Sequence, residues 1–298
     1  MENTHRAGFV TVLGRPNVGK STLINSMVGE KVAITSHHPN TTRNPIRGIL
    51  SQVDYQIIFN DTPGVHKPRT ILGTSLNQVV AENAEESDLI LLCLPANETP
   101  GSGDAFILAN YVGNRKCIVA VTKIDTTTNL PARLLEIDHF LKEKNCHPLE
   151  IVPLSAVTGE QTQLLAELIA PHLPVSPALY PKDVTRDQAL ELTISEFIRE
   201  AAIHDLLQEL PHSVYVTVDE LSERKGENFF DIHASIHVER DSQKGILLAN
   251  NRIKSIGTRA RIDIEKLLGG RVFLGLHVKV TKEWQKDPKA LQRFGFIQ

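Results

Sequence analysis

Residues 14–21 read Gly-Arg-Pro-Asn-Val-Gly-Lys-Ser and match the pattern Gly-x-x-x-x-Gly-Lys-Ser/Thr in full. The pattern constrains the fold as well as the chemistry, because it works only as the turn between a buried strand and a helix. Both flanks are present: Phe9–Leu13 is an apolar run of strand length, and Leu23, Ile24, Met27 and Val28 recur at helical spacing after the loop. Backbone N–H groups of such a loop turn inward and the helix N-terminus adds a favourable dipole, which makes a cradle for phosphate oxygens. Gly14, Arg15, Pro16, Asn17 and Val18 form the loop, Gly19 lets the backbone come close, and Thr22 continues into the helix. Lys20 supplies positive charge to the β and γ phosphates, and Ser21 offers a hydroxyl to Mg²⁺.

Strand and helix patterns alternate through the following residues. Apolar strands are expected at Tyr55–Asn60, Leu89–Leu94, Ile118–Thr122 and Glu150–Leu154, with helices at Leu134–Leu141 and Leu164–Leu173. This order predicts an α/β domain over residues 1–173, a P-loop NTPase with a doubly wound, mostly parallel sheet. Ligands of such sheets bind at the carboxyl ends of the strands, where the remaining motifs fall.

The stretch Val119–Asp125 selects the base. A carboxylate at Asp125 accepts from the N1 and N2 donors of guanine, a pair adenine lacks, and Lys123 lies over the base. The usual form is Asn-Lys-x-Asp; Thr122 stands at the asparagine position, as in the Rho group, so altered affinity with retained guanine preference is expected. Ser155, Ala156 and Val157, after the next strand, fit the last guanine-contacting loop, acting through the amides of Ser155 and Ala156. Asp61-Thr62-Pro63-Gly64 also follows a strand: Asp61 is expected to hold Mg²⁺, directly or through water, and the Gly64 amide to sense the γ-phosphate. Thr42, with Thr41 as the fallback, completes the Mg²⁺ shell; His37 and His38 are loop residues, and His66 is an ordinary switch residue. The nucleotide is therefore GTP or GDP.

Val65 stands where Ras-like enzymes carry the glutamine that orients the attacking water, and valine cannot do this. Slow intrinsic hydrolysis follows, roughly 10⁻³ per second or below by analogy with unaided GTPases. Asn17 offers another route, since a loop asparagine can help hold K⁺ beside the phosphates to offset developing charge. The expected catalytic group is Lys20, Asn17, Thr42 and Gly64.

A chain of 298 residues suggests two domains, and no apolar run is long enough to span a bilayer. The N-terminus lacks the layout of a secretory signal, and the three cysteines, Cys93, Cys117 and Cys146, have no metal spacing, so a reducing cytoplasm is expected. The net charge of −3 conceals an asymmetry: residues 241–298 hold 12 Lys and Arg against 5 Asp and Glu. A basic end on an acidic protein points to a polyanion or a membrane surface.

Pro174–Pro181 carries three prolines in eight residues and is expected to be extended, giving a linker over residues 174–185. Residues 186–298 then show a long helical pattern from Ala189 to Leu210, alternating strands around Val216 and Ile236, two helical segments, and a strand from Val272 to Val280. The order α-β-β-α-α-β is that of a small α+β domain. Ile253, Ile256, Ala260, Ile264 and Leu267 form one helical stripe, with Thr258 after Gly257 as the expected cap of the second helix of the pair.

These motifs in this order, with Leu210-Pro-His-Ser213, Val238-Glu-Arg-Asp-Ser-Gln-Lys-Gly245 and the tail Trp284 to Phe296, resemble the Era family, bacterial GTPases with a C-terminal KH domain. The resemblance runs from about Gly8 to Phe296. It implies GTP hydrolysis, binding near the 3′ end of small-subunit ribosomal RNA, and help in maturing the small ribosomal subunit. It also implies a cytoplasmic protein, expected as a monomer, with peripheral association at the inner face of the cell membrane.

One departure stands out. KH domains clamp single-stranded RNA with a Gly-x-x-Gly loop between two helices. The corresponding place reads Ile246-Leu-Leu-Ala-Asn-Asn-Arg252, without either glycine and about two residues shorter than the family pattern. Asn250 and Asn251 tolerate left-handed geometry and can preserve a turn. Lys244, Ala249, Asn250, Asn251, Arg252 and Lys254 are the RNA-binding candidates, with weakened, charge-carried binding expected. The alternative is a second domain that has lost RNA binding and serves as a protein or membrane interaction module.

Overall fold

The computed structural model describes residues 5–35, 46–65, 70–204, 213–224 and 227–296. Thr41 and Thr42 lie outside the described residues, as do His37, His38, Arg43, His66 and the segment Leu210-Pro211-His212. The chain divides into two compact units, the first made of Met1–Arg69 and Gly73–Asp187 and the second of Gln188–Gln298 with the short segment Thr70–Leu72.

The first unit contains β1 (Arg6–Leu13), α1 (Lys20–Val28), β2 (Ile46–Ser51), β3 (Tyr55–Asp61), α2 (Ile71–Glu86), β4 (Leu89–Pro95), α3 (Ser102–Ile107), β5 (Cys117–Thr122), α4 (Leu130–Glu143), β6 (Glu150–Pro153) and α5 (Thr162–Ile169). The strands form one sheet in the order β2-β3-β1-β4-β5-β6. Every pairing is parallel except β2 with β3. This is the doubly wound sheet the alternation predicts. The unpredicted strand, β2, carries Gly48 mid-strand because a Cβ there would lie 2.7 Å from Ile24 Cγ2 of α1.

Strand β4 shows why an unbroken apolar run folds this way. All seven of its residues are buried. Leu89, Leu91 and Cys93 enter the core cluster on one sheet face, and Ile90, Leu92 and Leu94 enter the cluster on the other. A strand covered on both faces needs no polar alternation, and each large side chain so buried contributes roughly 1.5–3 kcal/mol relative to exposure. The three cysteines are buried and free, and burial pushes the Cys93 thiol up to about 12.

Residues 174–187 do not leave the first unit. Ala7 N donates to Pro174 O, Gln56 Oε1 accepts from the amides of Leu179 and Tyr180, and Ile49 N donates to Thr185 O at 2.8 Å. Arg186 pairs with Glu30 and Arg47 with Asp187. The proline-rich segment is thus tied down along its length.

The second unit contains α6 (Leu190–His204), β7 (Tyr215–Arg224), β8 (Phe229–Val238), α7 (Asp241–Leu248), α8 (Arg252–Leu268), β9 (Arg271–Val280) and α9 (Pro288–Arg293). Its sheet has the order β7-β8-β9, with β7 antiparallel to β8 and β8 parallel to β9. Ile232, Ala234, Ile236 and Val238 of β8 are buried, as are Ile256, Ala260 and Ile264 of α8. The expected start of the second paired helix at Thr258 is corrected: α8 begins at Arg252 and runs through Gly257. Thr258 Oγ1 donates to Lys254 O one turn back, so it is a mid-helix residue. The tail closes the unit with Trp284 Nε1 donating to Ser213 O at 2.9 Å and Tyr215 Oη donating to Phe294 O at 3.0 Å. No helix among the described residues is long and apolar enough to cross a membrane.

Candidate functional site

The register of β1 on β3 pairs Val12 with Asp61. The loop after β1 and the segment after β3 therefore leave the sheet side by side. Lys20 is buried at the base of the loop, and its Nζ donates to Gly14 O at 3.0 Å and Arg15 O at 2.9 Å. Burial lowers the pKa of the ammonium, and the nearby Asp61 carboxylate opposes that shift. Asn17 (φ 64°) and Gly19 (φ 101°) are both left-handed, which turns the loop back on itself.

Ser21 Oγ donates to Asp61 Oδ2 at 2.7 Å. Two hard oxygen donors, predicted from separate motifs, thus meet at one point. This donor chemistry fits Mg²⁺, which prefers a few protein oxygens with phosphates and water completing the shell. When bound there, the ion neutralises charge on the β and γ phosphates. Among the described residues no cluster of three His, Cys, Asp or Glu could hold a metal by itself.

The segment after β3 is packed against the loop. Thr62 Oγ1 donates to Val12 O at 2.6 Å, so this side chain ties the segment to β1 instead of facing a phosphate. A Cβ on Gly64 would stand 2.8 Å from Pro16 Cγ and 2.9 Å from its backbone, which reserves the position for glycine. Val65 is 2% exposed and lies in the core cluster with Leu13 and Val80. It presents no polar group to a water.

Three further expectations are refined. The Arg15 side chain turns away from the loop mouth, its Nε donating to Asp104 Oδ1 at 2.9 Å and its Nη2 to Glu98 Oε2 at 3.0 Å. Thr122 is buried and its Oγ1 donates to Val18 O at 2.6 Å, so its hydroxyl braces the phosphate loop. The Ser155 amide is already donated to Glu160 O at 3.1 Å, and its Oγ accepts from Thr158 N. Of the two amides expected to face the base, only Ala156 N–H lacks a protein acceptor among the described residues. Val157 is 78% exposed. Lys123 (φ 60°) and the exposed Asp125 follow β5, and Ile124 N donates to Leu154 O, which links this turn to the end of β6. Asp104 and Glu98 were not legible as site residues, because no motif marks a carboxylate 89 residues beyond its arginine partner.

In the second unit, Ala249–Asn251 form a single tight turn between α7 and α8. Asn250 (φ 53°) and Asn251 (φ 56°) are both left-handed. Asparagine carries the geometry that the glycines of a Gly-x-x-Gly loop usually supply, at the cost of a side chain between backbone and ligand. Arg252 Nη1 donates weakly to Ile246 O at 3.4 Å, and Lys254 is exposed. Lys244 lines a cavity of about 620 Å³ together with Lys279, Arg293 and His237.

Residues 9–123 match the family described as 50S ribosome-binding GTPase, and residues 209–285 match the KH domain. The chain is 49% identical to the GTPase Era of Streptomyces coelicolor, over 99% of this chain and 96% of the relative. It is 47% identical to the GTPase Era of Mycobacterium tuberculosis, over 97% of this chain and 98% of the relative. Era in complex with MgGDPNP and nucleotides 1506–1542 of 16S ribosomal RNA is similar in structure, with a TM-score of 0.94 at 35% identity, covering 99% of this chain and 100% of that one. An Aquifex aeolicus Era variant bound to GDP·AlF4⁻ has a TM-score of 0.93 at 35% identity, covering 98% and 100%. With identity of this order over nearly its whole length, the chain belongs to the Era family of GTPases, enzymes that hydrolyse GTP to GDP and phosphate.

Proposed function

We propose that this GTPase is a switch whose second unit binds small-subunit ribosomal RNA and which assists maturation of the small ribosomal subunit. The observation that carries this is the similarity, at a TM-score of 0.94, to the Era chain solved with MgGDPNP and 16S ribosomal RNA nucleotides. The two left-handed asparagines at the turn support it, since they let the backbone reverse tightly between two helices without glycine. The positive charge of Lys244, Arg252 and Lys254 supports it as well.

On this reading the backbone N–H groups of the loop over residues 14–19, Pro16 excepted, and Lys20 hold the phosphates, Ser21, Asp61 and Thr42 hold Mg²⁺, and the Gly64 amide contacts the γ-phosphate. Lys123, Asp125 and the Ala156 amide select guanine. K⁺ beside Asn17 would offset charge developing on the phosphates, where Val65 offers no polar group to the attacking water. The protein works as a monomer in the cytoplasm, with peripheral contact at the inner face of the cell membrane.

The test is binding of a labelled single-stranded RNA copying the 3′ end of small-subunit ribosomal RNA to the full chain, with a non-hydrolysable GTP analogue or with GDP. Binding that is tighter in one nucleotide state supports the switch. No binding in either state, at low salt, refutes the RNA reading.

A further inference from the structure

Asp104 belongs to none of the motifs that recognise GTP, yet it is fully buried and makes two directed contacts. Its Oδ2 accepts from Gly101 N at 2.8 Å, closing the first turn of α3. Its Oδ1 accepts from Arg15 Nε, at the second position of the phosphate loop, at 2.9 Å. The stem of Arg15 lies across Gly103, where a Cβ would stand 2.8 Å from Arg15 Cδ. Glu98 takes the other arm of the guanidinium from the solvent side. The contact therefore has a carboxylate, a cap and a glycine floor built for one arginine.

What Arg15 controls gives the contact its meaning. Its carbonyl is one of two acceptors for Lys20 Nζ. The next residue, Pro16, is the surface on which Gly64 packs without room for a Cβ. We infer that Asp104 is a positioning residue for GTP hydrolysis, anchoring the phosphate loop through Arg15 so that Pro16 and Gly64 meet the γ-phosphate in register. The inference rests on the assignment of Gly64 to the γ-phosphate. A charge-assisted contact between a buried carboxylate and a partly exposed guanidinium, at a loop's second position, holds the arginine in one orientation.

Two consequences distinguish positioning from bulk stability. The γ-phosphate contact is affected more than the α and β contacts, so GTP affinity and kcat fall while GDP affinity is kept. The effect also runs through Arg15, so a second change at Arg15 adds little.

The experiment compares Asp104→Asn, Glu98→Gln, Arg15→Met and the Asp104→Asn/Arg15→Met pair with the parent chain. Asparagine keeps an acceptor for Gly101 N and removes the charge. The expected result is a five- to tenfold loss of kcat and of GTP affinity relative to GDP in Asp104→Asn, a smaller loss in the exposed Glu98→Gln, and no further loss in the pair. Gly64→Ala, measured alongside, reports the assignment beneath the inference. If Gly64→Ala lowers the GTP-to-GDP affinity ratio and Asp104→Asn does not, positioning by Asp104 is overturned alone. If Gly64→Ala leaves that ratio unchanged, the γ-phosphate assignment fails. Equal loss of GTP and GDP binding in Asp104→Asn, with a lowered melting temperature, reduces Asp104 to a structural cap and also overturns the inference.

Discussion

Thr122 Oγ1 donates to the carbonyl oxygen of Val18 across 2.6 Å, joining the end of β5 to the phosphate loop. The threonine at the asparagine position of the guanine motif thus spends its one hydroxyl on the loop and makes no direct demand on the base. Removing it leaves a buried carbonyl without its partner, a loss of about 1–3 kcal/mol. Thr122→Ala is expected to weaken GTP and GDP alike by about tenfold, and Thr122→Ser to change little. Titration with fluorescent nucleotides decides this; a selective loss of one nucleotide speaks against a loop brace.

Asp125 is exposed, so its expected energy comes from the ligand and not from the fold. A site built to hydrogen-bond donors on guanine rejects a base lacking them by several orders of magnitude. Asp125→Ala is expected to lower GTP affinity by about a hundredfold or more and to leave the melting temperature unchanged. Competition of GTP with ATP checks the specificity.

Val65 is packed in the core and offers nothing to the attacking water. If K⁺ near Asn17 supplies the missing charge, hydrolysis is several-fold faster in K⁺ than in Na⁺ at equal ionic strength. Asn17→Ala is then expected to remove the difference. Single-turnover rates in the two salts test it, and equal rates in the parent chain sink it.

His237 gives the second unit a pH dependence. Thr217 Oγ1 and Thr281 Oγ1 lie at its two ring nitrogens, at 3.1 and 3.0 Å. Burial, with Lys279 and then Arg293 nearby, depresses its pKa to about 4, while Asp219 opposes the shift. The folded unit holds a neutral imidazole that the unfolded chain protonates near pH 6.5. Stability from this group is therefore complete above about 6.5 and is lost as pH falls toward 4. Denaturation followed by fluorescence of Trp284, the single tryptophan, is expected to show a falling midpoint across that window, flattened in His237→Asn.

What the sequence revealed and concealed has a physical pattern. The strand-loop-helix at Gly14–Ser21, the buried run of β4 and the meeting of Ser21 with Asp61 were all legible, because motif spacing and periodicity encode them locally. Strand β2 was not, since Gly48 answers to α1 packing and not to strand preference. Gly257 suggested a helix boundary, yet a glycine inside a helix costs only about 1 kcal/mol. The long apolar stripe on Ile256, Ala260 and Ile264 outweighs that cost and carries α8 through. The anchor of Arg15 on Asp104 and the donation of the Ser155 amide to Glu160 depend on contacts that no single stretch of sequence contains.

The most direct test of the account is the salt dependence of single-stranded RNA binding by the full chain and by Arg252→Ala and Lys254→Ala. Each phosphate neutralised on a single strand contributes about −0.7 to the slope of log affinity against log salt. The parent is expected to bind with a steep slope, and each substitution to weaken binding and to flatten the slope by about that amount. Tight binding that ignores both salt and the two substitutions would contradict a turn that holds RNA by charge.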